Sequence, residues 1–305
     1  MTIPIQFLVL LLPLVALWSW LPLTPTSKMV AVSLSMYGLI KLHTLIMYRD
    51  RGGHSPNWSE LLFWFLGWAG LDAPAFFDRP AGQGGRQSDS QNGLRLRSLG
   101  EALLKIAIGA ALLLLIAPKL IPVSQLLAGW VGMAGIVILL HCGIIHLSAV
   151  WWNWNGRNVK PIMNSPLLAT TVSEFWGKRW NLAFRDYAHV CLFSPLARKL
   201  NGLTAIIAGF LFSGIVHDLA ISVPAGGGYG WPTLYFILQG VALLSERYLK
   251  KSGFDLNKHW AGRIWTAAWV VGPAFILFHR PFVLKVIVPL IDWFAWGTDP
   301  SSSTL

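Results

Sequence analysis

The chain alternates long apolar runs with short polar connections, a pattern that predicts helices crossing a membrane. Runs of about 20 apolar residues match the hydrocarbon thickness of a bilayer. Such runs occupy residues 3–23, 29–48, 99–117, 124–150, 203–223, 231–249 and 264–290. We therefore expect an all-α polytopic membrane protein, a helical bundle of seven or eight transmembrane helices that forms one integral-membrane domain over residues 1–305.

The segment 58–77 decides between seven and eight spans. Glu60, Asp72 and Pro74 shorten its apolar part, and a run that short is typical of a re-entrant or interfacial helix. The first run of the chain lacks a basic start and a small-residue cleavage site. We interpret it as a retained helix rather than a signal peptide.

The positive charges of the connections predict the orientation. Residues 151–202 hold seven Lys or Arg and residues 250–263 hold four, whereas residues 224–230 between them carry no charge. Cytoplasmic loops are enriched in Lys and Arg, so the two basic connections are expected to face the cytoplasm. By the same alternation, residues 79–99, which are rich in Gly, Ser, Gln and Arg, form another cytoplasmic polar loop.

Composition supports the membrane class and excludes others. The chain is 54% hydrophobic and only 12% charged, whereas a soluble domain carries about 25% charged residues. The net charge of +11 lies in the connections, as the positive-inside rule requires, so no nucleic-acid partner is expected. Two cysteines make neither a disulfide framework nor a metal site. The compact size favours a bacterial inner membrane over the endoplasmic reticulum.

An imidazole and a carboxylate stand inside one of the apolar runs, at His217 and Asp218. Ionisable groups in a membrane segment usually face a cavity or a substrate path. A histidine there is suited to serve as a general base because its pKa lies near neutrality. The alternative is a core histidine that hydrogen-bonds to a neighbouring helix. Adjacent helical residues point about 100° apart, so Asp218 need not touch the imidazole.

Upstream, residues 174–181 combine two Trp, a Phe, two cations and a carboxamide. One interpretation is an interfacial amphipathic helix, with the Trp rings at headgroup level and with Lys178 and Arg179 extended toward water. That interpretation does not explain Asn181 or the intramembrane His217 that follows it.

These two segments resemble the membrane-bound O-acyltransferase (MBOAT) superfamily, in its wax synthase-like branch. Phe-Trp-Gly-Lys-Arg-Trp-Asn at residues 175–181 and Ser-Gly-Ile-Val-His-Asp at residues 213–218 are similar to the motifs of that branch. Residues 67–77 resemble its Pro-Gly-Met-Asp-Pro segment. The strong match covers residues 171–223. Lys178 stands where the branch usually has Arg, and Asp218 where it has Glu.

The resemblance implies an acyltransferase with an MBOAT-like helical bundle, which moves a fatty acyl chain from acyl-CoA to a hydroxyl group without a further cofactor. His217 is then the general base and Asn181 the assisting polar residue. The implied acyl-CoA-binding residues are Trp176, Lys178, Arg179, Trp180, Arg185 and Asp218. For Arg185 there is an equal alternative to acyl-CoA binding: it is one of the positive charges that cytoplasmic loops ordinarily carry.

The implied acceptor is a long-chain alcohol, giving a wax ester, or another lipid alcohol. A diacylglycerol, a sterol, a glycan or a secondary-metabolite hydroxyl fits the same motifs, and acyl carrier protein stays open as a donor. The expected partners are acyl-CoA, a hydroxyl-bearing lipid acceptor and membrane lipids.

Two other classes stay open at the level of sequence. The histidines of the apolar runs, His43, His141, His146 and His279, allow a haem or metal protein. His141 and His146 are five residues apart, however, which takes them off the shared face of a helical metal pair. The Gly- and Pro-rich residues 224–232 would suit a broken helix of a transporter.

Overall fold

The structure is a computed structural model that describes residues 3–78, 89–199, 201–258 and 260–296. Every regular element in these ranges is a helix, and they contain no β-strand. The predicted all-α class is therefore confirmed. The first two helices are α1 (Ile3–Trp20) and α2 (Pro25–Asp50).

The chain divides into two compact units. The terminal unit comprises Met1–Tyr37 and Asn164–Leu305, and the central unit comprises Gly38–Met163. The boundary lies within α2. That both units serve one acyltransferase domain stays a prediction.

The central unit is built from short and long helices. They are α3 (Trp58–Leu62), α4 (Ala73–Phe77), α5 (Asp89–Ala110), α6 (Ala117–Leu120), α7 (Gln125–Ile136) and α8 (Ile145–Trp154). Wider π-helical turns continue α3 over Phe63–Gly67, join α5 to α6 over Ala111–Ile116, and join α7 to α8 over Val137–Ile144.

Glycines allow the long helices of the central unit to touch backbone to backbone. A Cβ on Gly109 would lie 2.4 Å from the Leu139 nitrogen, and one on Gly135 would lie 2.8 Å from the Leu113 nitrogen. Small residues at such positions let apolar helices approach closely, which is how helices pack where water gives no hydrophobic driving force.

The segment predicted as re-entrant or interfacial consists of the two short helices α3 and α4. Arg157 holds them together, because it donates to the Glu60 carboxylate at 3.3 Å and to the Phe76 carbonyl at 2.7 Å. The fully buried Lys41 donates to the Gly70 carbonyl at 2.7 Å, in the extended stretch between the two helices. Charged side chains thus fix a segment that is too short and too polar for a full span.

The terminal unit carries the two motifs. Its helices after α2 are α9 (Val172–Glu174), α10 (Leu182–Ala188), α11 (Ser194–Lys199), α12 (Gly202–Ala225), α13 (Trp231–Lys251), α14 (Ala261–Val270), α15 (Ala274–Leu277), α16 (Arg280–Phe282) and α17 (Val288–Trp296). π-helical turns follow α9, α10 and α16 over Phe175–Arg179, His189–Phe193 and Val283–Ile287, and 3₁₀ turns lie at Pro166–Leu168 and Leu256–Lys258. The helices α12 and α13, joined by a five-residue connection, form the hairpin on which the site is built.

Four helical segments of the described residues are long and apolar enough to cross a membrane. They are Pro25–Asp50, Gly93–Leu120, Gln125–Trp154 and Gly202–Ala225. A fifth candidate is the pair Ala261–Leu277 and Arg280–Ala295, which is bent by 65°. The predicted count of seven or eight spans is not confirmed.

Two sequence predictions need correction. Residues 89–99 belong to α5 and not to a polar loop, because their charges continue the helix, with Arg97 pairing with Glu101 at 3.2 Å; residues 79–88 lie outside the described part of the chain. The predicted straight span at 264–290 is broken between α14 and α16, where Pro273 and Pro281 cannot continue a helical hydrogen-bond ladder.

Candidate active site

His217 lies on α12 and is partly buried. Its Nδ1 is 2.7 Å from the Ser213 carbonyl, one turn earlier on the same helix. A carbonyl oxygen only accepts, so Nδ1 carries the proton and donates it. The neutral ring therefore has its lone pair at Nε2, which is the form that a general base requires.

Helix α13 approaches α12 closely at the His217 turn. A Cβ on Gly214 would lie 2.7 Å from the Thr233 Cα. This contact gives a structural reason for glycine in the Ser-Gly-Ile-Val-His-Asp motif. One turn further along α13, the ring centroid of Phe236 lies 4.4 Å from that of His217, with a tilt of 41° between the ring planes.

We expect Gly214→Ala to reduce activity at least tenfold, because the added methyl forces α13 away from His217. Gly209→Ala, five residues earlier on α12, is the matched control, since a Cβ there meets no atom within 4 Å. Alanine favours a helix over glycine by about 1 kcal/mol, so the control should keep or gain stability. Specific activity per folded protein measures the difference, and equal activity of the two variants would contradict the close-packing argument.

The Asp218 carboxylate accepts hydrogen bonds from the start of α13. Its Oδ1 accepts from the Gly230 N–H at 2.9 Å and from the Ser222 hydroxyl at 2.8 Å. Its Oδ2 accepts from the Thr233 N–H at 3.1 Å and from the Thr233 hydroxyl. A carboxylate at a helix N-terminus satisfies free N–H groups and complements the helix dipole. The contacts of Asp218 are therefore those of a clamp between α12 and α13.

The upstream motif is held by the other end of α13. The buried carboxylate of Glu246 accepts from the N–H groups of Val172 and Ser173, at the start of α9, and from the Trp265 indole at 3.0 Å. Thr171 caps the same helix, with its hydroxyl accepting from the Glu174 N–H at 2.9 Å. A buried carboxylate with three donors is well satisfied, and it fixes where the motif begins.

Trp176 connects the motif to the environment of His217. Its indole N–H donates to the side-chain oxygen of Gln239 at 3.2 Å. The centroid of its ring lies 5.6 Å from that of Phe236, and Phe236 in turn contacts His217. Gln239 is fully buried and donates its amide to the Trp269 carbonyl at 2.7 Å. Trp176 and His217 therefore both contact Phe236.

Arg179 is bonded to Glu174 within the same motif and to two carbonyls of the preceding loop. Its guanidinium contacts Glu174 Oε1 through Nε at 2.8 Å and through Nη2 at 2.7 Å. Nη1 donates to the carbonyls of Asn164 at 3.3 Å and Ser165 at 3.1 Å. These contacts occupy three of its nitrogens within the loop, which leaves little of the group for a ligand. Trp180 stacks on Phe175, with 5.4 Å between the ring centroids.

The Glu174 ion pair should make the motif sensitive to acid. Burial alone raises the pKa of Glu174, but hydrogen bonds from Thr170 and from Arg179 outweigh it, so the net pKa is lowered. A lowered pKa adds stability above the unfolded value of about 4.3, and this stability is lost as pH falls through the folded value. We expect wild type to be more stable than Glu174→Gln at pH 7, with the difference shrinking as pH falls from about 4.3 and lost once Glu174 is protonated in the folded protein. Tryptophan-monitored unfolding of both proteins measures this; a gap that persists at low pH would contradict it.

The remaining predicted site residues have distinct surroundings. Asn181 adopts the left-handed region at φ 40° and caps α10, with its oxygen accepting from the Phe184 N–H at 3.2 Å. Asparagine tolerates this backbone region better than most residues. Lys178 is exposed and has no ion pair within the described ranges. Arg185 lies 3.0 Å from the Asp186 carboxylate.

Two of the other histidines are held by polar neighbours. His279 accepts from the Phe282 N–H at 3.3 Å and lies 3.2 Å from the Ser222 hydroxyl. His146 lies 3.3 Å from the Lys105 ammonium and 2.9 Å from the Ser98 hydroxyl, so both of its ring nitrogens are engaged. No group of three or more His, Cys, Asp or Glu side chains in the described part of the chain is placed to hold a metal ion.

Three residues of the site were not identified in the sequence: Phe236, Gln239 and Glu246. They lie on one buried face of α13. A signal was present, because Gln239 and Glu246 are polar residues two helical turns apart in an otherwise apolar run. Phe236 gave no signal, since a phenylalanine in an apolar helix is indistinguishable from packing.

The comparisons with known proteins agree with the site. Residues 159–238, which contain both motifs and the first part of α13, match the model of the membrane bound O-acyl transferase family. Through this segment the chain is similar to that family. The resemblance predicted from the two motifs is thereby confirmed, and with its apolar helices the chain is an integral membrane protein.

Several plant proteins are similar to this chain over part of its length. "Probable long-chain-alcohol O-fatty-acyltransferase 9" of Arabidopsis thaliana is 31% identical over 142 residues, 42% of this chain and 41% of that protein. "Long-chain-alcohol O-fatty-acyltransferase" of Simmondsia chinensis is 30% identical over 106 residues, 32% of this chain and 30% of that protein. The chain thus matches less than half the length of these relatives. Their plant origin gives no support to the predicted bacterial inner membrane.

Proposed function

We propose that this protein transfers a fatty acyl chain from acyl-CoA to the hydroxyl group of a long-chain alcohol. The observation that carries the proposal is the tautomer of His217. Its Nδ1–H is fixed by the Ser213 carbonyl, so Nε2 presents a lone pair from an apolar helix. The names of the plant relatives supply the acceptor class.

The reaction balances with a single base. Nε2 of His217 takes the proton of the alcohol hydroxyl while the oxygen attacks the thioester carbonyl. The carbon–sulfur bond then breaks, the thiolate of coenzyme A leaves, and the imidazolium returns the proton to that sulfur. The products are an ester and coenzyme A. No acyl-enzyme intermediate and no bound cofactor are needed, since acyl-CoA is a co-substrate.

The proposed roles of the other predicted residues follow from their contacts. Lys178 is exposed and is the cation best able to meet a phosphate of coenzyme A, with Arg185 as a second. Asn181 is proposed to assist through its amide, which can donate to a developing oxyanion while its oxygen caps α10. Trp176 and Trp180 form the aromatic wall of the motif.

For Arg179 and Asp218 we propose positioning in place of ligand binding. The Arg179 guanidinium is bonded within the motif, and the Asp218 carboxylate is bonded to the start of α13. Both therefore act by holding the segments that carry the reacting groups.

The acceptor and the topology are the finer parts of the proposal. A wax ester is the proposed product, with a diacylglycerol or sterol ester as the outcomes to be separated from it. The proposed bundle reaches seven spans when α1 and α13 are added to the four apolar helices and the bent pair, and the segment 58–77 would be the eighth.

Membranes containing the protein would be supplied with labelled palmitoyl-CoA and, in separate reactions, hexadecanol, diacylglycerol or a sterol. We expect labelled wax ester and an equal amount of free coenzyme A with hexadecanol, and at least tenfold less ester with the other acceptors. Ester formed chiefly from another acceptor would replace the proposed substrate. Hydrolysis of palmitoyl-CoA without any ester would remove the proposed transferase activity.

A further inference from the structure

The environment of His217 includes an aromatic face to which no role has been given. During the proposed transfer, the ring of His217 becomes an imidazolium when Nε2 takes the proton. We propose that the face of Phe236 stabilises this cation, and that Gln239 holds Phe236 in place through Trp176. The inference rests on the proposed function, because it concerns the charge that this reaction creates.

Phe236 acts on the imidazole in addition to the charge of Asp218, which also favours the cation. Nδ1 faces the Ser213 carbonyl, a neutral dipole, at 2.7 Å. Both oxygens of Asp218, the adjacent carboxylate on α12, accept hydrogen bonds from the first turn of α13. The ring that lies against the imidazole is Phe236, with 4.4 Å between centroids. The negative face of an aromatic ring attracts a cation within about 6 Å, and more strongly where water is excluded.

The position of Phe236 is also fixed by Trp176. Phe236 is buried, and the Trp176 ring lies 5.6 Å from it with a tilt of 49°. Gln239, one turn along α13, accepts from the Trp176 indole and donates to the Trp269 carbonyl. Both ends of this amide are used, so rotation of Trp176 would leave a buried polar group unpaired. Gln239 is therefore a positioning residue that acts through Trp176 and Phe236.

A packing role and an electrostatic role make different predictions for fluorinated rings. Fluorine withdraws electron density from the ring face but changes the size of the ring little. Phenylalanine carrying one, two or three fluorines would be incorporated at position 236, and kcat and KM would be measured with palmitoyl-CoA and hexadecanol. The same series at Phe275, an exposed residue of α15, is the matched control.

We expect kcat to fall stepwise, to about a tenth of wild type with three fluorines, while KM for both substrates stays within about twofold. The Phe275 series should leave kcat unchanged. A kcat that is independent of fluorination at position 236, in an enzyme that forms ester, would overturn the inference and leave the proposed function standing. Absence of ester from the wild-type protein would overturn both.

The role of Gln239 is tested by non-additivity. Gln239→Leu and Trp176→Phe each break the same hydrogen bond, so each should lower kcat about tenfold and the double variant should lose little more than either alone. Gln239→Glu keeps the acceptor for the indole and, in its protonated form, the donor for the Trp269 carbonyl, so it should recover part of the loss. Independent, multiplying losses, or losses that match the fall in folded protein, would overturn the positioning role.

Discussion

Replacing His217 by alanine should lower acyl transfer at least a thousandfold. The variant removes the group that accepts the hydroxyl proton, and general base catalysis contributes about 10²- to 10⁴-fold. His217→Gln is the sharper variant, because its amide can still donate to the Ser213 carbonyl and fill the space beside Phe236. It cannot accept a proton at neutral pH, so we expect it to be as inactive as the alanine variant.

The measurement is ester formation per folded protein, with folding followed by gel filtration and thermal unfolding in detergent. His189→Ala is the matched control, since His189 is an exposed histidine of the same unit; it should keep wild-type activity. Substantial activity of His217→Gln would show that the imidazole serves packing, and the base would then have to be sought elsewhere in the chain.

Replacing Asp218 by alanine should destabilise the protein by about 3 kcal/mol. The change leaves the N–H groups of Gly230 and Thr233 without their acceptor, together with the hydroxyls of Ser222 and Thr233. Donors that lose their acceptor bear the full cost of desolvation. Because α13 carries Phe236, we also expect kcat to fall while KM for acyl-CoA in the folded fraction stays unchanged.

Thermal unfolding and steady-state kinetics on purified protein test this pair of expectations. Asp50→Ala is a suitable control, because Asp50 is exposed at the end of α2 and should change stability by less than about 0.5 kcal/mol. Asp218→Asn should also be unstable, since its amide hydrogens would face one of the two N–H groups. A raised KM for acyl-CoA with unchanged thermal stability would instead return Asp218 to the substrate-binding set.

The fold class could be predicted because the length of an apolar run indicates a membrane helix. The apolar run at 203–223, for example, corresponds to α12, and the length of that run alone predicted the helix. Boundaries were less accurate where charges and prolines are involved. Arg97 and Glu101 extend a helix into what was predicted as a loop, and Pro273 and Pro281 break what was predicted as one span.

The sequence by itself determined the membrane class and indicated where the chemistry would lie. An imidazole in an apolar run indicated a site, because ionisable side chains are costly in a membrane. The basic and aromatic motif that precedes it resembles the O-acyltransferases, and this resemblance predicts His217 as the base. The sequence also shows that Lys178 and Asn181 belong to the motif. Their side chains limit which hydrogen bonds they can donate or accept.

Only the tertiary structure decided which polar side chains are available for that chemistry. Arg179 and Asp218 carry charges that suggested ligand binding, yet one is bonded to Glu174 and the other to the start of α13. Conversely, Phe236 gave no signal in the sequence and Gln239 carries no charge, yet they contact His217 and Trp176. The reason is physical: a residue's type fixes what it can donate or accept, but its partner is chosen by packing between helices distant in the chain.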